Sequence, residues 1–262
     1  MLRAIRFTAY FGFVLDAETR AAIEKMAHLV ARVSPERIAA ELRAMTSRPG
    51  RRAALELLVE TGLASVVLPD MAPKATREPA GRTAWLKAAS IVEALDEPDL
   101  PLALAALAED QIADPLPMTA ERLRLSVREA KKAVWLRDAV AAIDAKGSRD
   151  LATSPWSQVQ PMVAHEHAAA LADLLRARAA YGRGAVDAAA WFTAQVARPR
   201  HEIDPPPLLT GHDLQAAGVP AGPAVGRTLA ALRDLQLDGA LRSRDDAMAW
   251  LRARTGPAGR DA

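Results

Sequence analysis

No stretch of this chain alternates apolar and polar residues as a half-buried strand would, whereas apolar residues three and four apart recur through most of its length. Leu2, Ile5 and Ala9 set that spacing at once, with Arg3 and Arg6 beside the stripe. Residues 2–11 therefore read as a basic amphipathic helix, which Gly12 ends. Composition agrees: 50% of residues are hydrophobic but only 4% aromatic, so the apolar content is mainly Ala, Leu and Val. With Arg and Glu, that mixture favours helix. The expected fold class is all-α, an elongated array of helices with no sheet and no repeat at a fixed period.

Proline and glycine divide the array. Helices are expected at 17–31, 35–46 and 51–61, the second opened by Ser34 with Pro35 at its first position. Arg48-Pro49-Gly50 breaks the chain before the third, and Thr61-Gly62 ends it. Pro69, Pro73 and Pro79 then make a poorly helical link. Further helices are expected at 80–95 and 100–113, and a long one from Thr119 to Ile143 carries Leu123, Val127, Ala130 and Val134 as its stripe. Lys146-Gly147-Ser148 closes that one; others follow at 155–181, interrupted near Pro161, and at 185–197. The tract RPRHEIDPPPLL cannot continue a helix and reads as an extended linker. Three domains follow, 1–73, 74–198 and 199–262.

The net charge of +2 conceals a pattern. Residues 1–52 carry ten Lys or Arg against five Asp or Glu, residues 53–116 carry four against eleven, and the remainder 20 against 16. Two basic segments flank an acidic one, which suits a polyanion gripped at separated points, although charges also simply coat solvated helix faces. The chain has no cysteine, which excludes disulfides and thiolate metal sites. No run approaches the roughly 20 apolar residues of a membrane span, and the start lacks a signal peptide's apolar core, so a cytoplasmic setting is expected.

Two blocks carry a family likeness. The first is MLRAIRFTAYFGFVLDAETRAAI with VARVSPERIAAELRAM and LELLVETGLASVVLPDM; the second is LLTGHDLQAAGVPAGPAVGRTLAALRDLQLDGALRSRDDAMAWLRAR. Between them LRLSVREAKKAVWL is similar to a Leu-Arg-Leu-Ser-Asn helix, with Val127 in place of Asn. Together they resemble the neck, body and tail of class II tRNA nucleotidyltransferases, the CCA-adding enzymes and bacterial poly(A) polymerases. In that family a Glu-Asp-x-x-Arg-x-x-Arg motif reads the incoming nucleotide, and Arg3 matches its last position as a remnant of the nucleotide pocket. The other motif residues would lie before Met1, so the resemblance implies a chain without the catalytic head and inactive alone. Mg2+ and ATP or CTP belong to that head, and no cofactor and no catalytic residue are expected in this chain.

The resemblance implies tRNA or another RNA as partner, bound through phosphates without sequence reading, as suits an enzyme that accepts every tRNA. Arg37, Arg43, Arg48, Arg51 and Arg52 are the neck candidates. In the tail, Gly222, Gly226 and Arg227 form a Gly-Pro helix start that lets a phosphate approach the backbone, though such starts are also common for structural reasons. The alternative is a helical interaction module that docks a head encoded elsewhere, which would expose an apolar patch near Leu2, Ile5 and Ala9. His165-Glu166-His167 places two imidazoles two residues apart, a poor metal pair on a helix. Glu109-Asp110 and Asp245-Asp246 are adjacent and diverge, so no metal site is expected.

Overall fold

The computed structural model describes residues 1–72, 78–108 and 114–255. The ordered elements among them are all helical, without a strand. The chain opens with α1 (Leu2–Phe11), α2 (Ala17–Met26), a 3-10 stretch Ala27–Arg32, α3 (Pro35–Thr46), α4 (Arg51–Glu60) and α5 (Ala64–Val67). It continues through α6 (Pro79–Ala94), α7 (Leu100–Leu107), α8 (Leu116–Arg122), α9 (Val127–Thr153), α10 (Trp156–Val163), α11 (Ala168–Ala180) and α12 (Val186–Val196). The last four are α13 (Arg200–Ile203), α14 (Gly211–Ala216), α15 (Pro223–Leu237) and α16 (Arg244–Thr255). Two compact units emerge, residues 1–148 with 169–190 and residues 149–168 with 191–262. The sequence boundary at 73/74 thus falls within the first unit and that at 198/199 within the second. Pro73, Glu109-Asp110 and the expected end of the 100–113 helix lie outside the described residues.

In the first unit α1 packs on α3 and α4. Its stripe of Leu2, Ile5 and Ala9 is buried there, which corrects the expectation of an exposed patch at those residues. Gly12 takes φ 67° and its N–H bonds back to Ala9 and Thr8, while the Phe13 N–H reaches the Thr8 carbonyl at 2.9 Å, so the helix stops in a left-handed cap. Gly50 is fixed twice over. It has φ +79°, and a Cβ there would lie 2.4 Å from the Ala9 carbonyl oxygen, so only glycine lets the α3–α4 turn approach α1 this closely.

The core centres on α7, whose residues Leu100–Leu107 are all buried, the signature of a helix surrounded by others. Each such Leu contributes about 1.5–3 kcal/mol by leaving water. Trp85 on α6 donates its indole N–H to the Leu55 carbonyl at 2.9 Å, satisfying its one polar atom while filling the α4–α6 contact. The 3-10 stretch replaces the end of the expected 17–31 helix, and the chain turns extended at Val33, ahead of Pro35.

The helix expected from Thr119 to Ile143 is two helices. Arg124 adopts φ 50°, and the Leu125 N–H returns to the Ala120 carbonyl at 2.9 Å, which ends α8. Ser126 then opens α9 with a reciprocal cap: its backbone N–H reaches the Glu129 carboxylate at 2.9 Å, and its hydroxyl accepts from the Glu129 N–H at 3.3 Å. Val127, placed on the apolar stripe by spacing, is 72% exposed. Gly147, with φ 74° and ψ 162°, interrupts α9 where the sequence expects a stop.

The second unit has its own core of Leu209, Leu214, Val219, Leu232, Leu241, Ala247 and Leu251. Pro161 sits inside α10 without breaking it, and the break comes at residues 164–167. The tract expected to be an extended linker is helical at Arg200–Ile203, which corrects that expectation; Pro205-Pro206-Pro207 are non-helical, and they are tied to α15. Arg233 donates to the Pro205 carbonyl at 2.6 Å and to Asp204 at 2.5 Å, and Gln236 donates to the Pro206 carbonyl at 2.8 Å. These bonds occupy carbonyls that a run lacking N–H groups cannot pair internally.

Candidate nucleic-acid interface

The five neck arginines have unequal freedom. Arg51 is the first residue of α4, and its side chain, only 12% exposed, reaches the C-terminal end of α6, donating to the carbonyls of Glu93 at 3.2 Å and Leu95 at 2.7 Å. A cation there satisfies orphan carbonyls and matches the helix dipole. Arg43 forks onto Glu129 at 2.7 and 3.2 Å. Burial raises the Glu129 carboxyl, but bonds from Arg43 and Ser126 outweigh it and leave the group below the usual carboxylate range. Arg52 holds Glu56 at 2.7 Å, one helical turn on, an exposed pair that raises its own pKa and stays accessible to solvent.

Arg37 and Arg48 remain. Arg37 is exposed on α3 with no ion-pair partner among the described residues, and Arg48 is exposed in the turn before α4, its guanidinium 5.7 Å from the Tyr10 ring centre. The structure therefore leaves two neck cations open to a polyanion and commits Arg43 and Arg51 to the fold.

Arg3 is exposed and lies over Phe7 at 5.3 Å, with Arg6 over the same ring at 4.4 Å. Arg6 also ties α1 to α3 through Glu41 at 2.8 Å. Around them runs an aromatic face absent from the sequence reading. Phe11 stacks on Phe7 at 5.9 Å and on Phe13 at 5.4 Å, and Tyr10 meets Phe11 edge-on at 4.9 Å. Tyr10, Phe11, Phe13 and Val14 are exposed, Phe13 by 67%. Their clustering off the Leu2, Ile5, Ala9 stripe was the available signal.

In the tail, the Leu-Thr-Gly-x-Asp-Leu stretch is a helix start of known logic. Thr210 accepts from the Asp213 N–H at 3.3 Å while the Asp213 carboxylate takes the Thr210 N–H at 2.8 Å, a capping box that opens α14. Arg244 from α16 then clamps Asp213 at 2.5 Å; that bond, first, and those from Thr210 hold the carboxyl well below its usual range. Gly222 caps α15 at φ 115°, a conformation reserved to glycine. Gly226 has ordinary helical geometry and open space where a Cβ would stand, and Arg227 beside it is exposed without an ion-pair partner among the described residues.

Among the described residues no three His, Asp or Glu are placed to share an ion. His165 and His167 lie in the turn between α10 and α11, their rings 5.1 Å apart, with the His165 Nδ1 accepting from the His167 backbone N–H at 3.2 Å. No helix among the described residues is long and apolar enough to cross a membrane.

The neck is also where known proteins resemble this chain most in sequence. Residues 12–74 match the family described as "Probable RNA and SrmB- binding site of polymerase A". The neck is thus similar to the RNA-binding segment of poly(A) polymerases. Over 63 residues the chain is 49% identical to the CCA-adding enzyme of Geobacillus sp. (strain WCH70), covering 24% of this chain and 16% of that protein. Over 91 residues it is 42% identical to the CCA-adding enzyme of Geobacillus thermodenitrificans (strain NG80-2), covering 34% and 22%. The fold extends the likeness. The Bacillus stearothermophilus CCA-adding enzyme in complex with CTP superposes on all of this chain with a TM-score of 0.65 at 22% identity. A CCA-adding enzyme in complex with ATP matches 96% of it at 0.64 and 17%. The chain spans 62% of the first of those solved chains and 59% of the second.

Proposed function

We propose that this chain is the RNA-binding neck, body and tail of a tRNA nucleotidyltransferase or poly(A) polymerase, holding a tRNA acceptor arm or another RNA so that its 3′ end faces a catalytic head. The observation that carries this reading is the neck match at residues 12–74, in which Arg37 and Arg48 stand exposed without carboxylate partners among the described residues. Arg227 and the open helix face at Gly226 extend the contact to the tail. Phosphates seen by arginines give affinity and position without base preference. A two-metal nucleotidyl-transfer centre needs convergent carboxylates, and among the described residues no three His, Asp or Glu could share an ion; Mg2+ and ATP or CTP belong, on this reading, to the head. The setting is cytoplasmic.

The test is salt-dependent binding of the purified chain to tRNA beside a nucleotide-incorporation assay on tRNA lacking its 3′ CCA. Binding with a steep salt slope and no incorporation is the expected result. Absence of binding at low salt would overturn the RNA reading, and incorporation would overturn the assignment of chemistry to a separate head.

A second reading, an interaction module that docks a head encoded elsewhere, is favoured by one observation, the exposed face of Phe11, Phe13 and Val14. It predicts that charged substitutions at Phe13 abolish binding of a supplied head while leaving RNA binding unchanged.

A further inference from the structure

We infer that the cleft between the glycine turn and the last helix of the second unit seats one phosphodiester of a bound RNA, with Arg227 and Arg254 as its two cationic arms. The inference rests on the RNA-binding reading above and moves the tail contact away from the start of α15.

The cleft has a volume of about 320 Å3; Val219 and Pro220 of the turn, Arg227 and Thr228 of α15, and Trp250 and Arg254 of α16 line it, with no carboxylate among the lining residues. Several other arginines of this unit meet carboxylates: Arg200 and Arg233 share Asp204, Arg198 meets Glu202 and Arg244 meets Asp213. Arg227 and Arg254 are both exposed and have no ion-pair partner among the described residues. Two uncompensated cations on separate helices facing one cleft define an anion site by charge alone.

Arg254 is also held in place. Its guanidinium lies 4.3 Å from the centre of the Trp250 ring, one helical turn away on the same face. A cation–π contact occupies no oxygen or nitrogen acceptor, so the guanidinium keeps its N–H donors for a ligand. Trp250 is therefore a positioning residue, packed at its base against the buried core of Leu251 and Val219. Thr228 adds a hydroxyl donor. Two planar forks match the two non-bridging oxygens of a phosphodiester, the geometry for which arginine surpasses lysine.

The experiment measures tRNA binding by the whole chain across a range of salt, for the wild type, Arg227→Gln, Arg254→Gln, the double variant, Arg254→Lys and Trp250→Leu, with circular dichroism to confirm folding. Each single Gln variant is expected to reduce the log–log salt slope by about 0.7–0.9, the value of one phosphate contact. The double variant should lose no more slope than either single, because both arms serve one phosphate. Arg254→Lys should keep the slope while weakening affinity, and Trp250→Leu should weaken binding only when Arg254 is present. Inorganic phosphate at matched ionic strength should compete no better than chloride. Wild-type binding with slopes indifferent to both arginines would overturn this site alone, whereas no wild-type binding would overturn the RNA reading itself. Additive slope losses would mean two separate phosphates, and displacement of RNA by inorganic phosphate from the wild type but not the double variant would mean a free-anion site; either result contradicts the proposal.

Discussion

The neck and the tail are both arginine-rich and both turn on a Gly-Pro or Pro-Gly step, yet they use their cations differently. In the neck, Arg6, Arg43 and Arg51 tie α1 to α3, α3 to α9 and α4 to α6, and only Arg37 and Arg48 of the candidates face solvent unpaired among the described residues. In the tail, Arg233 and Arg244 fasten the proline tract and α14, while Arg227 and Arg254 are left at a cleft. A basic stretch of sequence is thus not yet a basic surface. What decides is whether the fold delivers a carboxylate or a carbonyl to each guanidinium.

The comparison breaks most readily at the structural positions. Gly50→Ala combines a left-handed backbone, which costs about 1–2 kcal/mol for a side chain, with a clash against the Ala9 carbonyl oxygen, worth about 1–3 kcal/mol. Urea unfolding should show a loss of about 2–5 kcal/mol, the sum of those terms. Asp144→Ala comes next, because Asp144 meets Arg178, whose side chain is 7% exposed, at 2.7 Å. Leaving that guanidinium without its carboxylate should cost about 2–3 kcal/mol by the same measurement. Arg51→Ala should follow at about 1–2 kcal/mol, the value of the carbonyl contacts it makes, with no change in the RNA salt slope of the folded fraction.

Smaller effects sharpen the tail. The folded Asp213 carboxyl titrates below its unfolded value, so its clamp with Arg244 adds stability above an unfolded pKa of about 3.9, and that stability fades as pH falls further. The difference in melting temperature between the wild type and Asp213→Asn should therefore hold from pH 7 to about 4 and shrink at more acidic pH. Gly226→Ala, in open space on a regular helix, should stabilise by about 0.5–1 kcal/mol.

Helix punctuation was legible at several ends governed by a local rule. Asp16, Ser34-Pro35, Gly50 and Gly62 set the ends of α2, α3 and α4 through groups only a few residues apart. The break between α8 and α9 was also written locally, in the Ser126-x-x-Glu129 cap. An uninterrupted apolar spacing masked it, since Leu123 and Val127 lie four apart without sharing a face. The interface was legible in residue type and not in pairing. Arg43 finds Glu129 across 86 positions, and Arg51 finds the Leu95 carbonyl across 44, distances that no local pattern encodes. The exposed rings of Tyr10, Phe11 and Phe13 escaped notice because they lie off the buried stripe of α1.

The central claim, that the lack of a carboxylate or carbonyl partner among the described residues marks the RNA-binding arginines of the neck, is tested most directly by the salt dependence of tRNA binding for Arg37→Ala and Arg48→Ala set beside Arg43→Ala and Arg51→Ala. The account predicts that the first two each lower the log–log slope by about 0.7–0.9 and that the second two leave it unchanged while reducing stability. A slope that falls for Arg43→Ala and Arg51→Ala but ignores Arg37 and Arg48 would contradict it.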